Sequence, residues 1–198
     1  MVILEKSGLL TSKTTERGLF FMKKSNTDFS FEITTENYPN GGKKYVEPYR
    51  LDLYLNDEPM KLIGLSCRAV FGCKDYVLKI DWPEERGLTE SELRFQSRHE
   101  YDNYCSIKKK DRKHLAAAYE TGTIFIAGKW RDYIIQERIR GTLAVDLPDI
   151  DDNPEFIRFL GVLSDMGIQD GHDENVILRK KKSHNGEFSK WVCVDYGV

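Results

Sequence analysis

Residues 167–178 read "GIQDGHDENVIL", and residues 192–197 read "VCVDYG". In the first segment an acid, a histidine and an amide (Asp170, His172 and Asn175) fall within six residues. They lie between a helical pattern that stops at Gly167 and an apolar run that starts at Val176. In the second segment Asp195 ends an apolar strand pattern and is followed by Tyr196 and Gly197. Each piece alone has an ordinary reading, because Asp and Asn side chains bond nearby backbone and so favour caps and turns. Together they also match what phosphoryl transfer requires. That chemistry needs a carboxylate to orient an acceptor hydroxyl and carboxylate or amide oxygens to hold a divalent cation.

Two residues upstream favour the second reading. Lys79 lies inside the strand pattern "DYVLKID" (75–81) among apolar neighbours, where an isolated lysine would snorkel outward. The following segment is the strongest helix pattern in the chain, with Thr89 as N-cap and Glu92 completing a capping box. Leu93, Ser97, Glu100, Tyr104 and Ile107 share one face of that helix. Glu100 is therefore an acid on a core-facing stripe. A buried charge needs a partner, and Lys79 is the natural one. Asp170 would then orient or deprotonate a hydroxyl, while Asn175 and Asp195 would offer oxygens to a metal.

The order Lys79, Glu100, Asp170–Asn175, Asp195–Gly197 resembles the signature of the protein-kinase-like superfamily. The loop is similar to the D-x-H-x-x-N form of phosphoinositide-kinase-like, aminoglycoside-phosphotransferase-like and some bacteriophage kinases. The resemblance covers residues 61–198. It implies ATP and Mg²⁺ as cofactors, with Lys79 on the phosphates and Glu100 positioning it. It makes Asp170 the base and Asn175 and Asp195 the metal ligands. His172 either holds Asp170 through the loop backbone or lies near the transferring phosphate. "YIIQERIRG" resembles the hinge, which puts adenine against the backbone near Gln136, Glu137 and Arg138. "GLSCRAVF" stands where a glycine-rich loop belongs, with Gly64, Ser66 and Ala69 at the small positions. Ser and Ala permit close approach to phosphates less freely than Gly.

The implied fold is α+β and protein-kinase-like: a β-rich N-lobe, one regulatory-type helix and a strongly reduced C-lobe that stops after the DYG motif. Some bacterial effector kinases resemble this minimal plan. The chain divides into a β-rich N-terminal extension (1–58), an N-lobe with hinge (59–140) and a minimal C-lobe (141–198). In the extension, "FSFEIT" (29–34) and "YRLDLYL" (49–55) alternate as strands around the turn "NYPNGGKK". "KLIG" and "RAVFG" pair around "LSC", and "LAAAYETG", "TIFIAG" and "DYIIQERI" are three further strand-like segments. A second helix starts at the N-cap Asn153 with Pro154 first, carries Phe156, Leu160, Leu163 and Met166 on its apolar face, and ends at Gly167. "ENVILRK" and "KWVCVDYG" form a hairpin, on which Arg179-Lys180-Lys181-Lys182 reads as a solvated turn in preference to a patch for an acidic substrate or a phosphoinositide. Trp130 and Trp191 are assigned to the core.

Composition is that of an ordinary globular protein: 198 residues, 40% hydrophobic, 31% charged, net charge -2. That balance gives no bulk reason to expect nucleic-acid binding. The cysteines at 67, 73, 105 and 193 have no metal-ligand spacing and suit a reducing interior. With neither a signal-peptide pattern nor an apolar run near the ~20 residues of a membrane span, the expectation is a soluble cytoplasmic protein. A shortened C-lobe would expose apolar surface, so a partner protein or a homodimer is expected. The function that follows is a minimal Ser/Thr-type kinase acting on a partner or on itself. The alternatives are a pseudokinase-like nucleotide-binding module and a small-molecule or lipid kinase.

Overall fold

A computed structural model describes residues 11–14, 19–23, 30–35, 51–82, 96–126, 129–179 and 190–196. Nine strands form one antiparallel sheet: β1 (Thr11–Thr14), β2 (Leu19–Lys23), β3 (Ser30–Thr35), β4 (Leu51–Leu55), β5 (Glu58–Leu65), β6 (Arg68–Gly72), β7 (Tyr76–Asp81), β8 (Ala118–Ile126) and β9 (Lys129–Glu137). Their order is β1-β2-β3-β4-β5-β6-β7-β9-β8. A small second sheet has the order β10-β11-β12, formed by Gly141–Leu143, Val176–Arg179 and Lys190–Cys193. Helices α1 (Gln96–Ser106) and α2 (Pro154–Asp165) complete an α+β fold.

Local chemistry accounts for the joints. β4 and β5 are linked by Asn56 and Asp57 alone, both at positive φ (51° and 63°). Two-residue hairpins take the I′ turn for that reason, and Asn and Asp tolerate it best among residues with a Cβ. The sheet therefore runs without a break across residue 58. Asn153 caps α2, accepting from the N–H groups of Glu155 (3.0 Å) and Phe156 (3.1 Å). At its other end Gly167 takes φ +81°. The Gly167 and Ile168 N–H groups close on the Ser164 and Leu163 carbonyls, a Schellman stop.

Two apolar cores result. The first joins Leu53 and Leu55 of β4, Phe71, Leu78 and Ile80 of the middle strands, and Ile124 and Ile126 of β8. β4 and β8 lie at opposite ends of that run of strands, so the sheet must curl for their side chains to meet. The second core gathers Phe156, Phe159 and Leu163 of α2 with Val176, Val192 and Tyr196. Among the described residues no helix is long and apolar enough to cross a membrane.

Several details differ from the sequence reading. "LAAAYETG" and "TIFIAG" contribute to one strand, β8, with a register irregularity between Ala118 and Glu120. β10 was not expected, since Gly141-Thr142-Leu143 is too short to show alternation. On α2, Phe159 joins Phe156 and Leu163 inside, whereas Leu160 and Met166 are only partly covered. Trp130 is a correction. It lies 63% exposed beside Phe125, because it occupies an outward position on β9. Trp191 is buried, as assigned. Thr89, Glu92, Leu93, Tyr49, the "NYPNGGKK" turn and Lys180–Lys182 lie outside the described residues.

Candidate active site

Helix α1 presents a polar face to the sheet. Its buried residues are Ser97 and Glu100, one turn apart. The Ser97 hydroxyl donates to Asp81 Oδ1 at 2.6 Å, which ties the start of the helix to the end of β7. Burial pushes the Asp81 carboxyl up to about 6, against the opposing pull of the Ser97 hydroxyl and the Arg68 charge. One turn on, Glu100 is 0% exposed and fully engaged. Its Oε1 accepts from Lys79 Nζ (2.8 Å), Gln136 Nε2 (2.8 Å) and Tyr196 N–H (3.3 Å). Its Oε2 accepts from Arg68 Nη1 at 2.5 Å.

Lys79 also donates to the Val194 carbonyl at 2.6 Å and lies 3.9 Å from Asp195 Oδ1. Arg68 Nη2 pairs with Asp195 Oδ2. Burial alone would lower the Arg68 pKa, but the Glu100 and Asp195 carboxylates outweigh it and hold the guanidinium charged. The result is a quartet of two cations and two carboxylates, drawn from β6, β7, α1 and the segment just past β12. Strand register explains how they meet. Val70 faces Lys79 and Arg68 faces Asp81 across β6 and β7, so Arg68, Lys79 and Asp81 share one face of the sheet.

Tyr196 closes this cluster from below. Its hydroxyl donates to the Ala116 carbonyl (2.8 Å) and accepts from Gln136 Nε2 (2.9 Å), while Asn103 donates to its carbonyl (3.1 Å). Burial raises the Tyr196 phenol well above its ordinary value, so it stays a neutral donor. Burial likewise pushes the Cys193 thiol up to about 12, which keeps it un-ionised and unreactive.

Asp170, His172 and Asn175 form a second, more open cluster at the start of β11. Asn175 Nδ2 lies 3.0 Å from the Asp170 carbonyl, 3.1 Å from Asp170 Oδ2 and 3.1 Å from His172 Nε2. An amide nitrogen has two protons, so these three acceptors share them. The arrangement spends the Asn175 nitrogen within the loop and leaves its Oδ1 as the oxygen to offer a cation. His172 Nε2 is 3.4 Å from Asp170 Oδ1, and about half of each side chain is exposed. The two clusters are joined through backbone. The Asn175 carbonyl accepts from Val194 N–H at 2.8 Å, one residue before Asp195.

The remaining expected positions scatter more. Gly64 lies on β5 beside an irregularity in its pairing with β6, and Ser66 is in the turn between them. A Cβ at Gly64 would meet only Val70, at 3.6 Å, so the strand itself makes no demand for glycine there. Gln136 points its side chain inward to Glu100 and Tyr196. Glu137 pairs with Arg179, and its N–H donates to the Ala117 carbonyl at 2.8 Å. Arg138 turns back to the Cys73 carbonyl, and its N–H meets the Asp75 carbonyl at 2.9 Å.

One member of the inner cluster, Arg68, was missed in the sequence, and Gln136 was named only for its backbone at the expected hinge. Arg68 could have been found by the argument applied to Lys79, a cation inside a strand with apolar neighbours. The Gln136 side chain has no local signal, since only folding brings it to Glu100. Among the described residues no three His, Cys, Asp or Glu side chains gather as a metal site. Asn175 with Asp195 would fit Mg²⁺ as one carboxylate and one amide oxygen, because that ion keeps several waters and phosphate oxygens.

No protein-family model matches the chain, and no curated protein sequence matches it. Among solved structures it is similar to WbdD in complex with the kinase inhibitor LY294002, with TM-score 0.49 and 18% identity over 77% of this chain and 38% of that one. It is also similar to a structure of the bifunctional kinase-methyltransferase WbdD, with TM-score 0.44 and 17% identity over 84% of this chain and 41% of that one. The chain thus spans about two fifths of the length of these neighbours.

Proposed function

We propose that this protein is an ATP- and Mg²⁺-dependent phosphotransferase acting on a hydroxyl of a partner protein or of itself. The observation that carries the reading is the buried Lys79–Glu100 ion pair, 2.8 Å long, with Asp195 Oδ1 3.9 Å from the same ammonium. A charge pair this deep costs desolvation energy, and an ammonium held beside a partly exposed carboxylate suits the phosphates of a nucleotide and their cation. Lys79 neutralises phosphate charge while Glu100 keeps the ammonium from turning away. Asn175 Oδ1 and Asp195 would hold the metal, whose charge would offset that of the phosphates. Asp170, partly exposed at the loop, accepts the proton of the attacking hydroxyl. His172 lies within reach of both Asp170 and Asn175 and holds the loop in register. Adenine would pack along the segment Gln136–Arg138 without using the Glu137 and Arg138 N–H groups, which already donate to the Ala117 and Asp75 carbonyls.

A second reading, a nucleotide-binding module without transfer, is favoured by one contact: Arg68 already neutralises Asp195. Labelled ATP with Mg²⁺ separates the two. The protein is incubated alone and with cell lysate, lipid or sugar acceptors, beside Asp170→Ala and Asp195→Ala. Transfer by the wild type that Asp170→Ala loses while still binding nucleotide supports the assignment. Nucleotide binding with no transfer to any acceptor refutes the enzyme reading in favour of the second.

A further inference from the structure

Arg68 has no assigned part in the chemistry proposed above, yet it bridges the two carboxylates of the site. It is 6% exposed and its two terminal nitrogens hold different acids, Nη1 on Glu100 and Nη2 on Asp195. The two attachments are unequal. Glu100 is fully buried and cannot be surrendered to water, whereas the Asp195 side chain is 25% exposed and lies at the open side of the cluster. The fixed fork of a guanidinium lets one arm be released while the other stays anchored.

We propose that Arg68 is the residue that sets the metal affinity of this site. Its outer arm is a built-in counter-ion for Asp195, which a divalent cation must displace in order to bind. The inference rests on the phosphotransferase reading, since it concerns the carboxylate assigned to the metal. Anchored by Glu100, Arg68 cannot leave altogether. When its outer arm comes off Asp195 it remains beside the incoming cation and opposes it, unless an anion takes that arm over. Nucleotide phosphates are such an anion. Arg68 thereby ties metal retention to the presence of phosphate and keeps the empty carboxylate from collecting cations. The position on β6 directly after the turn at 66–67 places the guanidinium where that exchange can happen.

The test uses Mn²⁺ alone, counted as the free ion by electron paramagnetic resonance during titration of the full chain. Wild type is compared with Arg68→Met and with Arg68→Gln, which keeps an amide donor for Glu100, each with and without Asp195→Asn. Glu100 retains Lys79, Gln136 and the Tyr196 N–H as partners in both variants, and circular dichroism melts of each variant check that it folds before titration. Removing a charge-assisted bond that competes for the carboxylate is expected to tighten Mn²⁺ binding by ~10-fold or more. Binding that is tighter in the Arg68 variants, or present only in them, and lost with Asp195→Asn supports the proposal. Equal or weaker binding in those variants, still dependent on Asp195, overturns it and leaves the metal assignment standing. Binding that ignores Asp195→Asn removes both, and binding absent from every variant overturns the proposal, since loss of Arg68 then frees no site for the ion.

Discussion

Replacing Glu100 by Gln should cost far more stability than replacing Lys79 by Met, although the two form one ion pair. The asymmetry follows from who else is present. Glu100 faces two cations at 2.5 and 2.8 Å, while Lys79 faces Glu100 at 2.8 Å and Asp195 at 3.9 Å. Loss of the Glu100 charge leaves two buried cations with one carboxylate, a quarter exposed, between them. Removing one partner of a buried pair costs ~3–5 kcal/mol, and Asp195 returns part of that, so about 3 kcal/mol is expected. Loss of Lys79 leaves Glu100 with Arg68, Gln136 and the Tyr196 N–H, so about 1 kcal/mol is expected. At ~2–4 °C per kcal/mol for a chain of this size, Glu100→Gln should melt about 6–12 °C lower and Lys79→Met about 2–4 °C lower. Circular dichroism melts at neutral pH read both, and moderate salt should change little, because buried pairs are weakly screened. The double variant Arg68→Met/Lys79→Met is the sharper control. It strips Glu100 of every cation, so its cost should exceed the sum of the single changes by about 1 kcal/mol or more. Equal melting temperatures for Glu100→Gln and Lys79→Met, or additive behaviour of the two cation changes, would refute the quartet as the unit of stability.

Three further outcomes are expected. The Asp81 carboxyl, ordinarily at 3.8 and raised by burial to about 6, binds its proton more tightly folded than unfolded. It therefore costs nothing below pH 3.8, erodes stability as pH climbs to about 6, and imposes a constant penalty of about 3 kcal/mol above that. Asp81→Asn should flatten urea-unfolding stability between pH 4 and about 6, and an unchanged slope would sink this account. Asn153→Ala removes the side-chain acceptor for two N–H groups at the start of α2 and should cost about 1 kcal/mol in the same measurement. Gly141→Ala drives a methyl into the Leu178 carbonyl and the Ile177 side chain across the β10–β11 pair. It should cost ~1–3 kcal/mol, and a variant that melts like wild type would mean β10 is not paired as described.

What the sequence made legible was governed by period and by punctuation. The α2 boundaries were readable because Asn153, Pro154 and Gly167 each act on backbone atoms within a few residues of themselves. β3 and β4 were readable because alternation is local as well. Glu100 was found through an inconsistency, an acid on an inward stripe, and its partner through a second one, a lysine within a strand. The same reasoning stopped short of Arg68. Arg68 lies four positions past Gly64, in a segment read for its small residues Gly64, Ser66 and Ala69 and not for where a long side chain goes. Trp130 failed for the opposite reason. Size argued for burial, but β9 alternates, and Trp130 falls on the outward phase next to Phe125.

The polar inner face of α1 was the least legible feature and has the largest consequence. Ordinary helices are held by an apolar stripe, which gives way only gradually as they shift. α1 is held by Ser97 on Asp81, Glu100 on three side chains and Asn103 on the Tyr196 carbonyl. Directional bonds of this kind are lost within about an ångström of displacement, so the helix has few intermediate positions open to it. Its seating is thereby coupled to the charge state of the site it faces. Anything that changes the charge balance among Arg68, Lys79 and Asp195 changes what Glu100 must satisfy, and so bears on where α1 sits. No hydrophobic pattern could have announced that coupling, because it resides in four residues contributed by four separate elements.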